Sequence, residues 1–335
     1  MPRRCALTVA SKLAALIAAI ALPVGGAAAQ DADVAKDFPN RPIHLVVPFP
    51  PGGPSDVDAR IIAQKMSQDW NVGVVVENRP GGNTTIGAQV VAKAAPDGYT
   101  LLMPMDTTLV LNPASGVPAP YNPFTAFAPI TLLASNTGLL VVRARDGAES
   151  VKELIARAKA SPGKLTYGAG IMTTRLEVKL FAKAAGIEVV LVPYKGAADV
   201  AEGVLNGSVD FAGDGFVTSL PLIQAGQFRA LAKFDSRPLP QLPDVPTLAH
   251  AADLPDLKDI SSWIGLVAPA KTPSAIVDKI QQEVVRIYAD PATAEKLAKA
   301  GIHAVTTTPT EFDKFFHAEA AHWTTFLKEN GINLQ

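Results

Sequence analysis

The sequence predicts an α/β protein of two domains that flank a ligand cleft. Three observations carry this. Short apolar runs rich in β-branched residues alternate with amphipathic stretches, the signature of strands followed by helices. The chain has 335 residues, more than one core of about 250–300 residues usually sustains. Two crossings, at 135–145 and 254–263, lie inside the chain, so one domain is built from both ends and the other from the middle. Two crossings make a hinge, and the space between hinged lobes favours a ligand.

The elements follow in order. Arg3, Arg4 and Lys12 precede a 12-residue apolar run at 13–24 and an Ala27-Ala28-Ala29 end. That is the pattern of a secretory signal peptide over 1–29, cleaved after Ala29; a spanning helix needs about 20 apolar residues. A flexible entry over 31–38 leads to a strand at 43–49 ended by prolines, a helix at 57–70 and a strand at 72–77. A turn cluster at 78–83 precedes a helix capped by Thr84 or Thr85, then a strand at 99–103. The rhythm recurs from 151 to 268, and helices at 274–289, 292–300 and 310–330 close the chain. Such alternation predicts largely parallel sheets.

Composition narrows the function. Apolar residues are 48 % and charged residues 18 %, which excludes a disordered chain. Thirty Lys and Arg against 31 Asp and Glu leave no basic stripe for nucleic acid. The single cysteine, Cys5, lies in the leader, so the exported chain forms no disulfide, thiolate nucleophile or cysteine–zinc site. There is no G-x-S-x-G elbow and no phosphate loop of the G-x-x-x-x-G-K-[ST] type. Gly168-Ala169-Gly170 starts like a dinucleotide loop, but Thr173 stands where the third glycine belongs. His317 and His322 are five apart, about 140° from sharing a helix face, so they do not form a zinc pair. His44 reads as a packing residue of the first strand. No cofactor, metal or catalytic group is expected.

Two glycine-rich loops stand out because each ends a strand and opens a helix. The first is Pro51-Gly52-Gly53-Pro54-Ser55-Asp56. Glycines let N–H groups approach a ligand, and a helix start offers unpaired donors with partial positive charge. Anion binding and a simple turn capped by Ser55 or Asp56 fit this loop equally. The second runs from Gly168 through Gly170, Thr173 and Thr174 to Arg175. Its hydroxyls and guanidinium suit a carboxylate; the alternative is a threonine cap beside a solvated arginine. A cation in a first turn opposes the helix dipole, which favours the functional use.

These loops and their surroundings resemble the periplasmic solute-binding receptors of the tripartite tricarboxylate transporters, the Bug receptors. The matching stretches include FPNRPIHLVVPFPPGGPSDVDAR (38–60), VVVENRPGGNTTIGAQVVAKAAPDGYTLL (74–102), LPLIQAGQFRALA (220–232) and WIGLVAPAKTP (263–273). The resemblance implies a two-domain periplasmic-binding-protein fold of the Venus-flytrap, type II-like kind, with domains at 38–137 plus 262–335 and at 138–261. It implies capture of a small organic carboxylate (a di- or tricarboxylate or an aromatic acid), delivery to integral membrane transporter subunits, and a monomer. The same receptor design also serves a membrane sensor kinase; a secreted hydrolase is a more distant alternative. Carried over by position, the ligand would meet Gly52, Gly53, Ser55 and Asp56 in the first loop and Gly170, Thr173, Thr174 and Arg175 in the opposing one. Asp106, Thr107, Asp214 and Phe216 match other cleft-lining positions, and Phe49 and Phe216 are either apolar walls or core. Arg175 stands near a position where the family commonly has histidine, and Asp106 replaces a small hydroxyl residue. The arginine would favour a second negative charge on the ligand; Asp106 or Asp214 would reject one, or accept an amine or hydroxyl.

Overall fold

The structure, a computed structural model, describes residues 35–334; the leader and its cleavage after Ala29 lie outside the described residues. The strands are β1 (Ile43–Val47), β2 (Val74–Asn78), β3 (Thr100–Leu102), β4 (Phe127–Asn136), β5 (Gly138–Arg143), β6 (Thr166–Ala169), β7 (Val190–Pro193), β8 (Phe211–Gly215), β9 (Phe228–Lys233), β10 (Ser262–Pro269) and β11 (Ile302–Ala304). They form one sheet in the order β11-β4-β10-β3-β1-β2 and another in the order β7-β6-β8-β5-β9. The helices are α1 (Pro54–Trp70), α2 (Thr85–Ala92), α3 (Val151–Ala160), α4 (Met172–Ala185), α5 (Ala197–Asn206), α6 (Phe216–Gln224), α7 (Leu248–Ala252), α8 (Ser274–Ala289), α9 (Pro291–Lys299) and α10 (Pro309–Glu329).

The expectation of largely parallel sheets is corrected. Strands laid down by βαβ units are parallel: β1 with β2 and β3, and β6 with β7 and β8. Strands next to the crossings are antiparallel: β10 with β3 and β4, and β5 with β8 and β9. A strand arriving from the other lobe enters its sheet from the far end, so it needs no right-handed crossover helix.

Only Thr137 separates β4 of the first sheet from β5 of the second. The return crossing ends at Ser262, which pairs in register with Asn136, so the two crossings lie side by side. Thr137 is fully buried and its hydroxyl is shared between the two Asp235 oxygens, at 3.1 and 3.0 Å. Arg237 pairs with Asp235 and also donates to the Ser135 hydroxyl. The two crossings are therefore laced together by polar bonds.

Each lobe buries its own apolar side chains. Ile43, Leu45 and Val47 of β1 pack with Ile62 and Met66 of α1 and with Ile280 and Val284 of α8. In the second sheet, Leu140 and Val142 of β5 pack with Phe181 of α4 and Phe211 of β8. His44 is not a packing residue: it is the exposed position of β1, and its Nδ1 lies 2.5 Å from Glu77. Several helices begin earlier than the apolar periodicity indicates. Helix α1 starts at Pro54, whose preset φ suits the first helical position; α4 starts at Met172 and α6 at Phe216. The helix starts thus sit directly on the glycine-rich loops.

Candidate functional site

Where the lobes meet, an inner cavity of about 50 Å³ lies against the hinge. Four helices point their N-termini at it. Their N-cap residues, Gly53 for α1, Ile171 for α4, Gly196 for α5 and Gly215 for α6, all line the cavity, and none has a capping side chain. A helix start leaves its first N–H groups without intrahelical acceptors and carries about half a positive charge. Gly196 is required by packing: a Cβ there would stand 2.9 Å from the Pro50 ring of the opposite lobe, and one on Gly170 would strike Gly196 itself.

Three buried polar side chains on this cavity have atoms without a hydrogen-bond partner: the Ser55 hydroxyl, the Asn136 amide and Oε2 of Glu177. Buried polar groups are normally paired, because each one left alone costs about 1–3 kcal/mol. All three converge on one space. The walls are apolar where they are not polar, with Phe49, Met105 and Phe216 among them.

The acidic groups here are held by burial. Desolvation pushes the Asp214 carboxyl up to about 7, although the Ser219 hydroxyl donates to it at 2.7 Å. The Glu177 carboxyl is raised well above the usual range, first by burial and then by the nearby Asp106 and Asp235 charges. Asp106 is likewise raised to about 7 by burial, against the opposing effect of hydrogen bonds from Thr173 and Thr107.

Of the residues singled out from sequence, Phe49, Gly53, Ser55, Gly170, Thr173, Thr174, Asp214 and Phe216 line the cavity. Their groups are not all free. The Thr173 hydroxyl donates across the lobes to Asp106 Oδ2 at 2.7 Å, and that of Thr174 donates to the Ile171 carbonyl at 3.0 Å. Gly52, Asp56, Asp106, Thr107 and Arg175 stand outside the lining. Asp56 is consumed in shaping the first loop: it accepts from the Gly52 N–H at 2.9 Å, from Arg60 and from Asn78. Gly52 supplies the left-handed turn there, with φ at 88°. Asp106 and Thr107 open a buried π-helical turn, Thr107–Leu111.

Arg175 is placed elsewhere by geometry. On a helix that starts at Met172, Thr173 and Arg175 are about 200° apart, so both cannot face the cavity. Arg175 instead donates to the Leu334 carbonyl at 3.2 Å and borders an outer groove of about 530 Å³ that Thr107, Tyr194 and Lys195 also line. Glu177, four residues after Thr173, shares its face; the helical period carries that signal, which lies beyond the glycine-rich loop that ends at Arg175. Asn136 and Ser262 were likewise missed, although both sit at the predicted crossings. Among the described residues no group of three or more His, Cys, Asp or Glu side chains converges to hold a metal. No helix there is long and apolar enough to cross a membrane.

Comparison with known proteins places these features in context. The sequence profile of the tripartite tricarboxylate transporter family receptor matches residues 58–332. The UPF0065 protein in the tcbD-tcbE intergenic region of Pseudomonas sp. (strain P51) is 36 % identical over 317 residues, which is 94 % of this chain and 93 % of that protein. Among solved structures, R. palustris Rpa4515 with adipate superposes with a TM-score of 0.84 at 33 % identity, over 88 % of this chain and 99 % of that one. MatC from Rhodopseudomonas palustris with bound malate superposes with a TM-score of 0.79 at 28 % identity, over 86 % and 99 %.

Proposed function

Because the chain belongs to the tripartite tricarboxylate transporter receptor family, whose members are periplasmic solute-binding proteins, we propose that it captures a small organic carboxylate for delivery to membrane transporter subunits. The observation that carries this reading is the meeting of four uncapped helix N-termini on one buried cavity. Donors oriented in advance hold an anion without the cost of reorienting water, and their partial charges act strongly where water is excluded. The Ser55 hydroxyl and Asn136 amide add donors from the first lobe and the hinge. The lobes at 38–137 plus 262–335 and at 138–261 close over the anion, and closure is what a membrane partner senses. No nucleophile or cofactor enters; binding without turnover, by a monomer exported with its leader removed after Ala29, is the proposed activity. The ligand-bound relatives support the carboxylate class, since one was solved with adipate and another with malate.

The test is a thermal-shift screen of the protein beginning at Gln30 against mono-, di- and tricarboxylic acids, with sugars and inorganic ions as contrasts. At a hundred times its dissociation constant, a ligand adds about 2.7 kcal/mol of stability, an easily seen rise in Tm. A screen in which no carboxylate shifts the transition, or in which a sugar does so instead, overturns the reading.

A further inference from the structure

Glu177 is 2 % exposed, lines the inner cavity, and leaves Oε2 without a hydrogen-bond partner. Its carboxyl group is pressed against the hinge: a Cβ built on Gly138 would stand 2.8 and 2.9 Å from its two oxygens. Asp214 is a second carboxyl on the same lining, which holds no lysine, arginine or histidine. The other charged groups facing Glu177 do not change this balance. Asp106 on the π-helical turn and Asp235 at the hinge are both acidic, and Arg237 is already paired with Asp235. Lys258 and Asp259 border a small adjoining pocket, but neither has a hydrogen bond to Glu177. One carboxylate of a ligand is provided for by the helix starts; the rest of the lining offers carboxyl groups and no cation.

We propose that the ligand is a monocarboxylate bearing a basic nitrogen, whose carboxylate meets the helix N-termini and whose ammonium group is held by Glu177. This rests on the carboxylate reading above and narrows it. A buried charge is tolerated when it is paired, and an ammonium group supplies both the charge and the donors that Glu177 lacks within the protein. Burial pushes the Glu177 carboxyl well above its ordinary range and so favours its protonated form; pairing with the ammonium favours ionisation and sends a proton to the buffer. Affinity then rises with pH until the ligand's own nitrogen loses its proton.

Calorimetry on the chain beginning at Gln30 compares ligands matched in length: 4-aminobutyrate with succinate and butyrate, and 6-aminohexanoate with adipate and hexanoate. The expected result is that an aminocarboxylate binds at least tenfold tighter than its dicarboxylate counterpart. Titrations in phosphate and in Tris should differ in heat by an amount that reports proton release. Glu177→Gln, which keeps the shape and removes the charge, should abolish both the preference and the release while the Tm without ligand is retained. Dicarboxylates binding as tightly as the amines, a preference unmoved in Glu177→Gln, or no released proton overturns the proposal while leaving the carboxylate reading intact. Failure of every organic acid to bind sinks both.

Discussion

Asp58 lies on α1 with no exposure, and its carboxylate accepts the Tyr288 hydroxyl of α8 at 2.7 and 2.8 Å. Burial pushes its pKa from the ordinary 3.8 to about 7, despite that hydrogen bond. The folded protein therefore holds a proton here that the unfolded chain has released. Stability from this group is complete below about 4, declines as pH rises to about 7, and levels off above. Asp58→Asn removes the titration and keeps an acceptor for Tyr288. The expected outcome is a Tm difference between variant and parent that shifts in the variant's favour from pH 5 to pH 8. Thermal melts across that range check it, and a constant difference would show that Asp58 stays ionised in the fold.

At the scale of elements, α4 does two jobs on opposite faces. Its N-terminal half presents uncapped N–H groups, Thr173 and Glu177 to the cleft, while Arg175, Lys179 and Lys183 reach the segment after α10. They donate to the carbonyls of Leu334, Asn333 and Asn330 respectively. The tail is thereby strapped across a helix of the other lobe, with Leu334 buried among residues of the first. The cation in a first helical turn, where the dipole disfavours it, thus has a carbonyl acceptor for one of its nitrogens, while its Nε has no partner. In the double variant Lys179→Ala, Lys183→Ala, hydrogen exchange at Gly331 and Ile332 should accelerate about tenfold, as expected for losing charged hydrogen bonds near 1.5 kcal/mol. Exchange at the parent's rate would mean the tail is held by Leu334 alone.

For the whole molecule, the proposed receptor role makes closure of the lobes the functional variable. The described state is closed: Thr173 bonds to Asp106 across the lobes, Gly196 meets Pro50, and a Cβ on Gly301 would overlap the Phe216 ring from the other side. Gly196 has an extended backbone, with φ at −173°, so a larger residue is unstrained there and collides only when the lobes meet. Gly196→Val should fold with a near-parental Tm but weaken carboxylate binding at least tenfold. Its radius of gyration by small-angle X-ray scattering should stay larger than the parent's at saturating carboxylate. Equal values for the two proteins would place closure elsewhere.

The alternation of strands and helices, the two interior crossings and the glycine-rich starts of α1 and α4 were legible from residues alone, because local propensity and chain length govern them. The antiparallel entry of β5 and β10 was not, since strand direction depends on which lobe the chain is leaving. Among site residues, Ser55 and Gly53 were readable: a loop that opens a helix keeps its donors near the start whatever the tertiary setting. Asp56, Arg175 and Glu177 were decided by packing. Each can serve a ligand or the protein, and only burial and helix phase assign them: Asp56 to its own loop, Arg175 to the tail, Glu177 to the cavity. Sequence by itself determined where donors are exposed along the chain; the folded arrangement determined which of them converge, because convergence is a property of distances between segments that no local pattern encodes.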